Sequence, residues 1–326
     1  MGTPSRIVSL LPSATEMLFA LGLGDRVVAV SHECDYPEQA ASLPRVTVSR
    51  IDSNTSSSTI DQAVQLALAE GESLYEIDHA LLESVDCDLL ITQSQCDVCA
   101  ISQDQVFDSI KTLGLSDRIS VMTLHPKTLE DVFRDLMQIG QACGEAERAE
   151  SLVAEYRQRV ARVGHRLGHF EDRDRPRVAM VEWIDPLMLA GNWIPEILHL
   201  AGGRGPGDVS TGKSITTSWE QVVTFAPEVL VLCPCGFDVN RTCIEAEPLT
   251  AWPHFSSLPA VRDGRCYAID GNAYFNRSGP RLVESLEILA HLLHPQKIGE
   301  PVVANRRGGA WKQLFHEKSS PARQKI

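Results

Sequence analysis

Short apolar runs, each followed by a turn and then a helix-spaced segment, recur along the whole chain. A strand that is apolar at nearly every position needs cover on both faces, and alternation with helices supplies that cover in a parallel sheet. The first set of such runs is Ile7 to Leu11, Val27 to Val30, Asp88 to Thr92 and Ile119 to Leu124. Helical spacing falls between them, over Thr15 to Leu21, Asp61 to Glu70, Asp78 to Val85 and Ser102 to Leu113. A second set, Arg177 to Glu182, Glu228 to Cys233 and Cys266 to Asp270, repeats the plan. It carries a helix at Trp193 to Ala201 and closes with another at Leu282 to Leu293.

The stretch between the two sets is helical. Thr128 to Asp131 has the form of a capping box, and Leu129, Val132, Phe133, Leu136 and Met137 share one face. Glu145 to Leu167 then carries Ala149, Leu152, Val153, Tyr156, Val160 and Val163 at helical spacing, over a reach of roughly 35 Å. The expected fold is therefore α/β, with two similar lobes of parallel sheet joined by one long spanning helix. The expected divisions are a first lobe at 1–125, a helical linker at 126–170, a second lobe at 171–298 and a basic tail at 299–326. The tail has little apolar content and reads as largely disordered, with a short helix at Ala310 to Phe315. One rigid connector predicts small lobe motions.

Charge narrows the function. A net charge of -13 opposes nucleic acid and anionic membrane surfaces. No apolar run reaches the length of about 18 residues that a membrane span requires. The apolar start at Arg6 to Pro12 runs straight into Ser13-Ala14-Thr15-Glu16, a strand entering a helix, so the chain as written is expected in the cytoplasm, or in the periplasm if a leader precedes it. The nine cysteines read as mostly reduced thiols.

Parallel sheets place ligands at the carboxyl ends of their strands, and the chemically rich loops fall there. Ser31-His32-Glu33-Cys34-Asp35-Tyr36-Pro37 follows one strand, and Gln93-Ser94-Gln95-Cys96-Asp97-Val98-Cys99 follows another. In the second half the corresponding loops are Glu182-Trp183-Ile184-Asp185-Pro186 with Trp193 close behind, Cys233 to Asp238 with Phe237, and Asp270 to Arg277. The expected ligand-binding residues are His32, Cys34, Tyr36, Gln93, Gln95, Cys96, Cys99, Trp183, Asp185, Trp193, Phe237, Asp270, Asn272, Tyr274 and Phe275. A cleft lined by Trp, Tyr and Phe with a few amides and carboxylates suits a large, planar ligand with polar edges. For Trp183 and Trp193 the plainer reading is a core plug, the commoner fate of so large a ring.

His32, Cys34, Cys96 and Cys99 also form a set of four soft ligands, which leaves open a zinc site, or a metal- or thiol-dependent enzyme or sensor. Only one C-x-x-C pair is present, so reduced thiols beside a pocket are the expectation and zinc the alternative. No phosphate-binding, nucleophile-elbow or zinc-protease motif occurs, and no catalytic residues are assigned.

Arg6 to Glu16 followed by Asp35-Tyr36-Pro37 resembles the opening of the cobalamin- and siderophore-binding proteins of ABC importers. The likeness covers residues 6 to 295, and its cobalamin-binding branch is marked by Ser31 to Pro37, Gln95 to Ala100 and Asp270 to Phe275. The resemblance implies a corrinoid, such as cobalamin, bound between two lobes without catalysis, with a siderophore or haem as the alternative. It implies an ABC permease partner, docked through Asp104 and Glu220, and a ligand-contacting role for Asp270. A monomer is expected. Met188 stands where relatives carry an aromatic contact, and Gln93 replaces another.

Overall fold

The computed structural model describes residues 2–94, 101–206, 212–302 and 309–315. It divides into two units. The first comprises residues 1–162 and 277–283, and the second residues 163–276 and 284–326.

The first unit is built on a four-stranded parallel sheet. Its strands are β1 (Ile7–Ser9), β2 (Val27–Val30), β5 (Leu89–Gln93) and β6 (Ser120–Leu124), in the order β2-β1-β5-β6. Every residue of β1 is buried, as a strand covered on both faces must be. Val8, Ala29 and Leu90 pack with Val106 and Ile110 of the helix Gln103–Thr112 to make the core of one face. A separate antiparallel pair, β3 (Thr47–Ser49) with β4 (Tyr75–Ile77), lies outside the sheet. The capping box read from Thr128 and Asp131 is present and starts the helix Leu129–Ala142.

The second unit holds a six-stranded sheet. β7 (Val178–Trp183), β10 (Val229–Leu232) and β11 (Cys266–Ile269) form its parallel centre, in the order β11-β10-β7. That order matches β6-β5-β1, so the repeat seen in the sequence is a repeat of topology. The margins differ. β8 (Met188–Leu189) and β9 (Ile215–Thr216) extend one edge antiparallel. On the other edge β12 (Trp311–Leu314) pairs antiparallel with β11, so the sheet is mixed rather than wholly parallel.

β12 corrects the reading of the tail. Residues expected to be disordered or briefly helical add a strand, because they carry apolar groups that the sheet edge can bury. Ala310 and Leu314 are buried, and Phe315 meets Phe255 edge to face.

The long helix, Ala146–Leu167, carries the chain from the first unit into the second. Residues 126–162 of the expected linker belong with the first unit. The chain also returns. Residues 277–283 count with the first unit while both their flanks belong to the second, which adds two further passages between the units.

Candidate functional site

In the first unit the loop after β2 is held by several side chains. Arg45 lies under it and donates to three of its carbonyls, Ser31 at 2.7 Å, His32 at 3.1 Å and Cys34 at 2.8 Å. Thr47 accepts from the backbone N–H of His32 at 3.0 Å and sits 2.8 Å from its Nδ1. The His32 ring lies against Tyr75. A small recess here is lined by Leu10, Pro12, His32, Thr47, Tyr75 and Ile101.

The returning segment grips the same loop. Arg277 donates to Asp35 Oδ1 at 2.5 Å and to the Glu33 carbonyl at 3.1 Å. Arg281 donates to both carboxylate oxygens of Glu16, its Nε at 2.8 Å from Oε2, and its guanidinium lies 4.2 Å from the centre of the Tyr36 ring. Glu16 is also 3.6 Å from Arg277. All three charged side chains are less than a tenth exposed. A buried charge persists only when paired and hydrogen-bonded, and here each one is. Close approach also explains Gly279, where a Cβ would fall 3.2 Å from Glu16 Oε2 and 3.3 Å from Ser13 Cα.

Sequence reasoning did not single out Glu16, Arg45, Arg277 or Arg281. The signal was there for two of them. Glu16 is the one charge in the apolar helix Pro12–Ala20, and Arg281 directly precedes the apolar helix Leu282–Leu293, so each needed an opposite charge to be buried.

Cys34 is fully buried, which removes it from the exposed ligand set. Its sulfur is 3.1 Å from Thr15 Oγ1 and 3.3 Å from Ser31 Oγ. Burial pushes its thiol pKa up, against the thiolate that metal binding needs. His32 and Tyr36 are half-buried on the loop, and Gln93 is half-buried at the end of β5. Gln95, Cys96 and Cys99 lie outside the described residues. Among the described residues no group of three or more His, Cys, Asp or Glu is placed to hold a metal ion. The seven described cysteines are free thiols.

In the second unit the expected aromatic lining separates into two classes. Trp193, Tyr274, Phe275 and Phe237 are core residues, between 0% and 7% exposed. Trp193 Nε1 donates to the Phe275 carbonyl at 2.7 Å, tying helix start to loop. These four rings fill the base of the strand-exit loops and present almost no surface for stacking. Trp183 differs. It is half-buried at the end of β7, lies 5.3 Å from the Phe237 ring, and its buried Nε1 has no hydrogen-bond partner among the described residues.

Asp270 is also structural in this geometry. It is 7% exposed and its Oδ1 accepts from the Ala273 N–H at 2.7 Å, capping the turn after β11. That turn is pressed onto the loop after β10, where a Cβ on Gly271 would fall 2.2 Å from the Pro234 carbonyl oxygen. Asn276 Nδ2 joins the two loops through the Cys233 carbonyl at 2.7 Å. Asn272 is half-buried, and Asp185 is exposed beyond β7. Beside Trp183, burial pushes the Glu182 carboxyl pKa up, while hydrogen bonds from Ser214 and the Gly191 backbone pull it the other way.

Asp104 and Glu220 share a local setting, although one helix follows β5 and the other precedes β10. Each is the second residue of a helix, Gln103–Thr112 and Trp219–Phe225, and each helix opens with the same reciprocal box, Ser102 with Gln105 and Ser218 with Gln221. Both acids are exposed. The box pairs the N-cap and N3 N–H groups with Ser and Gln side chains rather than with these acids. Glu220 is held below the usual carboxylate range by its own backbone N–H and by Ser218.

This architecture matches known proteins over nearly its whole length. A profile described as periplasmic binding protein matches residues 7–273. The chain belongs to the periplasmic binding protein family. Its relatives include the uncharacterised ABC transporter substrate-binding lipoprotein YvrC of Bacillus subtilis, 24% identical over 91% of this chain and 82% of that one. A vitamin B12-binding protein of Vibrio parahaemolyticus is 24% identical over 88% of each. Among solved structures, the periplasmic vitamin B12 binding protein BtuF of Vibrio cholerae superposes with a TM-score of 0.66 at 22% identity, covering 90% of this chain and 98% of that one. A periplasmic haem binding protein from Pseudomonas aeruginosa superposes with a TM-score of 0.67 at 21% identity, covering 90% and 94%.

The family is one of binding proteins, and the relatives are described as binding or substrate-binding proteins rather than enzymes. The cytoplasmic expectation gains no support, because these relatives are described as a lipoprotein or as periplasmic. Among the described residues no helix is long and apolar enough to cross a membrane.

Proposed function

We propose that this chain binds a corrinoid of the cobalamin type for delivery to an ABC permease. The observation that carries the delivery role is the matched pair of exposed acids, Asp104 in one unit and Glu220 in the other, each opening a helix through the same capping box. One exposed acid at a helix start in each unit suits a partner with basic sockets, and such rim charges act mainly on association rate and register. The ligand reading draws on the long loop motifs, Ser31 to Pro37 and Asp270 to Phe275, and on relatives described as vitamin B12-binding.

The residues proposed to meet the ligand are the half-buried ones on the strand-exit loops. They are His32, Tyr36 and Gln93 in the first unit, and Trp183 and Asn272 in the second, with Asp185 exposed beside them. The half-buried ring of Trp183 suits stacking against a planar macrocycle. Trp193, Tyr274, Phe275 and Phe237 hold the loops from beneath. Trp183→Ala is the test. It should weaken cobalamin binding by about 2 kcal/mol, the usual loss for a buried aromatic anchor, whereas Trp193→Phe should act mainly on thermal stability. Equal affinity in Trp183→Ala and the wild type would remove Trp183 from the site.

A further inference from the structure

We infer that Glu16, Arg281 and Tyr36 form a positioning chain that sets the ligand-binding loop of the first unit from the returning segment 277–283. The inference rests on the proposed ligand reading for its functional consequence, and on geometry alone for the chain itself. Glu16 takes two hydrogen bonds from one guanidinium, which fixes both the position and the plane of Arg281. That plane lies over the Tyr36 ring, 4.2 Å from its centre. Tyr36 is only half-buried, so the guanidinium restrains a ring that still presents surface. Neither Glu16 nor Arg281 offers surface of its own, since their side chains are 3% and 6% exposed. Their role is therefore to hold another residue rather than to touch a ligand.

The placement gives the chain its consequence. Arg281 is continuous in sequence with the loop after β11, through Arg277, which itself bonds Asp35 and the Glu33 carbonyl. The loop 31–37 is thus fixed from two directions, by Arg45 of its own unit and by a segment whose flanks belong to the other. Charge alone cannot replace this arrangement. A lysine at 281 keeps one positive charge beside Glu16 but loses the planar fork that places the guanidinium over Tyr36.

The test compares wild type, Arg281→Lys, Tyr36→Leu and the double variant, each as the full chain. The first readout, in ligand-free protein, is amide hydrogen exchange over residues 32–36 against β1 and β5. Arg281→Lys should speed exchange over 32–36 about tenfold while β1 and β5 stay within twofold of wild type. Tyr36→Leu, which leaves the Glu16–Arg281 pair in place, should do the same, and the double variant should add little to either. The second readout is the cobalamin dissociation constant, which should rise about tenfold in Arg281→Lys. Exchange within twofold of wild type over 32–36, or an equal rise throughout the unit, overturns the inference. So does an unchanged dissociation constant in Arg281→Lys. A wild type that binds no cobalamin overturns the ligand reading instead, and the exchange comparison still decides the positioning chain.

Discussion

The thiols and carboxyls of this chain differ more by burial than by type. Cys34 carried the metal alternative, together with His32, Cys96 and Cys99, yet its sulfur is enclosed between Thr15 and Ser31 and its pKa is raised. It should react with a thiol reagent far more slowly than Cys235, which is half-buried on its loop. Mass mapping after brief alkylation checks the order, and labelling of Cys34 ahead of Cys235 would contradict the packing described here. Asp135 shows the cost of burial with little compensation. Among the described residues its Oδ2 accepts no hydrogen bond, and desolvation pushes its pKa up to about 7 against the opposing charge of Arg134. At this carboxyl the folded state then binds a proton more tightly than the unfolded state, so its contribution to stability falls as pH rises from about 4 to about 7. Asp135→Asn should remove that slope and raise stability at pH 8 by on the order of 2 kcal/mol. A variant no more stable than wild type at pH 8 would show that the carboxylate is solvated after all.

Element by element, the sequence was most legible where periodicity was strong and least legible at sheet margins. The helices Gln103–Thr112 and Leu282–Leu293 fall within a residue of their expected limits, because a core-facing stripe identifies a helix without tertiary context. β3, β4, β8 and β9 were not read at all. They are two or three residues long and partly exposed, and so short a run carries no period. β12 was misread for a different reason. Trp311-Lys312-Gln313-Leu314 lies in a basic stretch, and only the edge of β11 makes it a strand. Leu314→Ala should therefore cost about 2 kcal/mol, the low end for a buried leucine, measured by denaturant unfolding. A disordered tail would show no change.

The site followed the same division. That the site's loops follow the strands was legible, because the apolar runs mark where each strand ends. Which rings would face out was not, since Trp183 and Trp193 look alike in sequence and only packing sends Trp193 into the core, where it bonds the Phe275 carbonyl.

For the whole molecule, the proposed delivery role makes Asp104 and Glu220 the acids to test. Reversing them separately with Asp104→Arg and Glu220→Arg should leave ligand affinity within twofold of wild type. Each should slow ligand-dependent stimulation of a reconstituted cognate permease, and the double reversal should abolish it. Retained stimulation by the double variant would exclude these acids from docking. Ligand identity is the central claim, and it is tested most directly by equilibrium dialysis of the purified chain against cobalamin, with haem and a ferric hydroxamate in parallel cells. The account predicts one equivalent of cobalamin retained per chain, with haem and the hydroxamate excluded; retention of haem or the hydroxamate in place of cobalamin would contradict it.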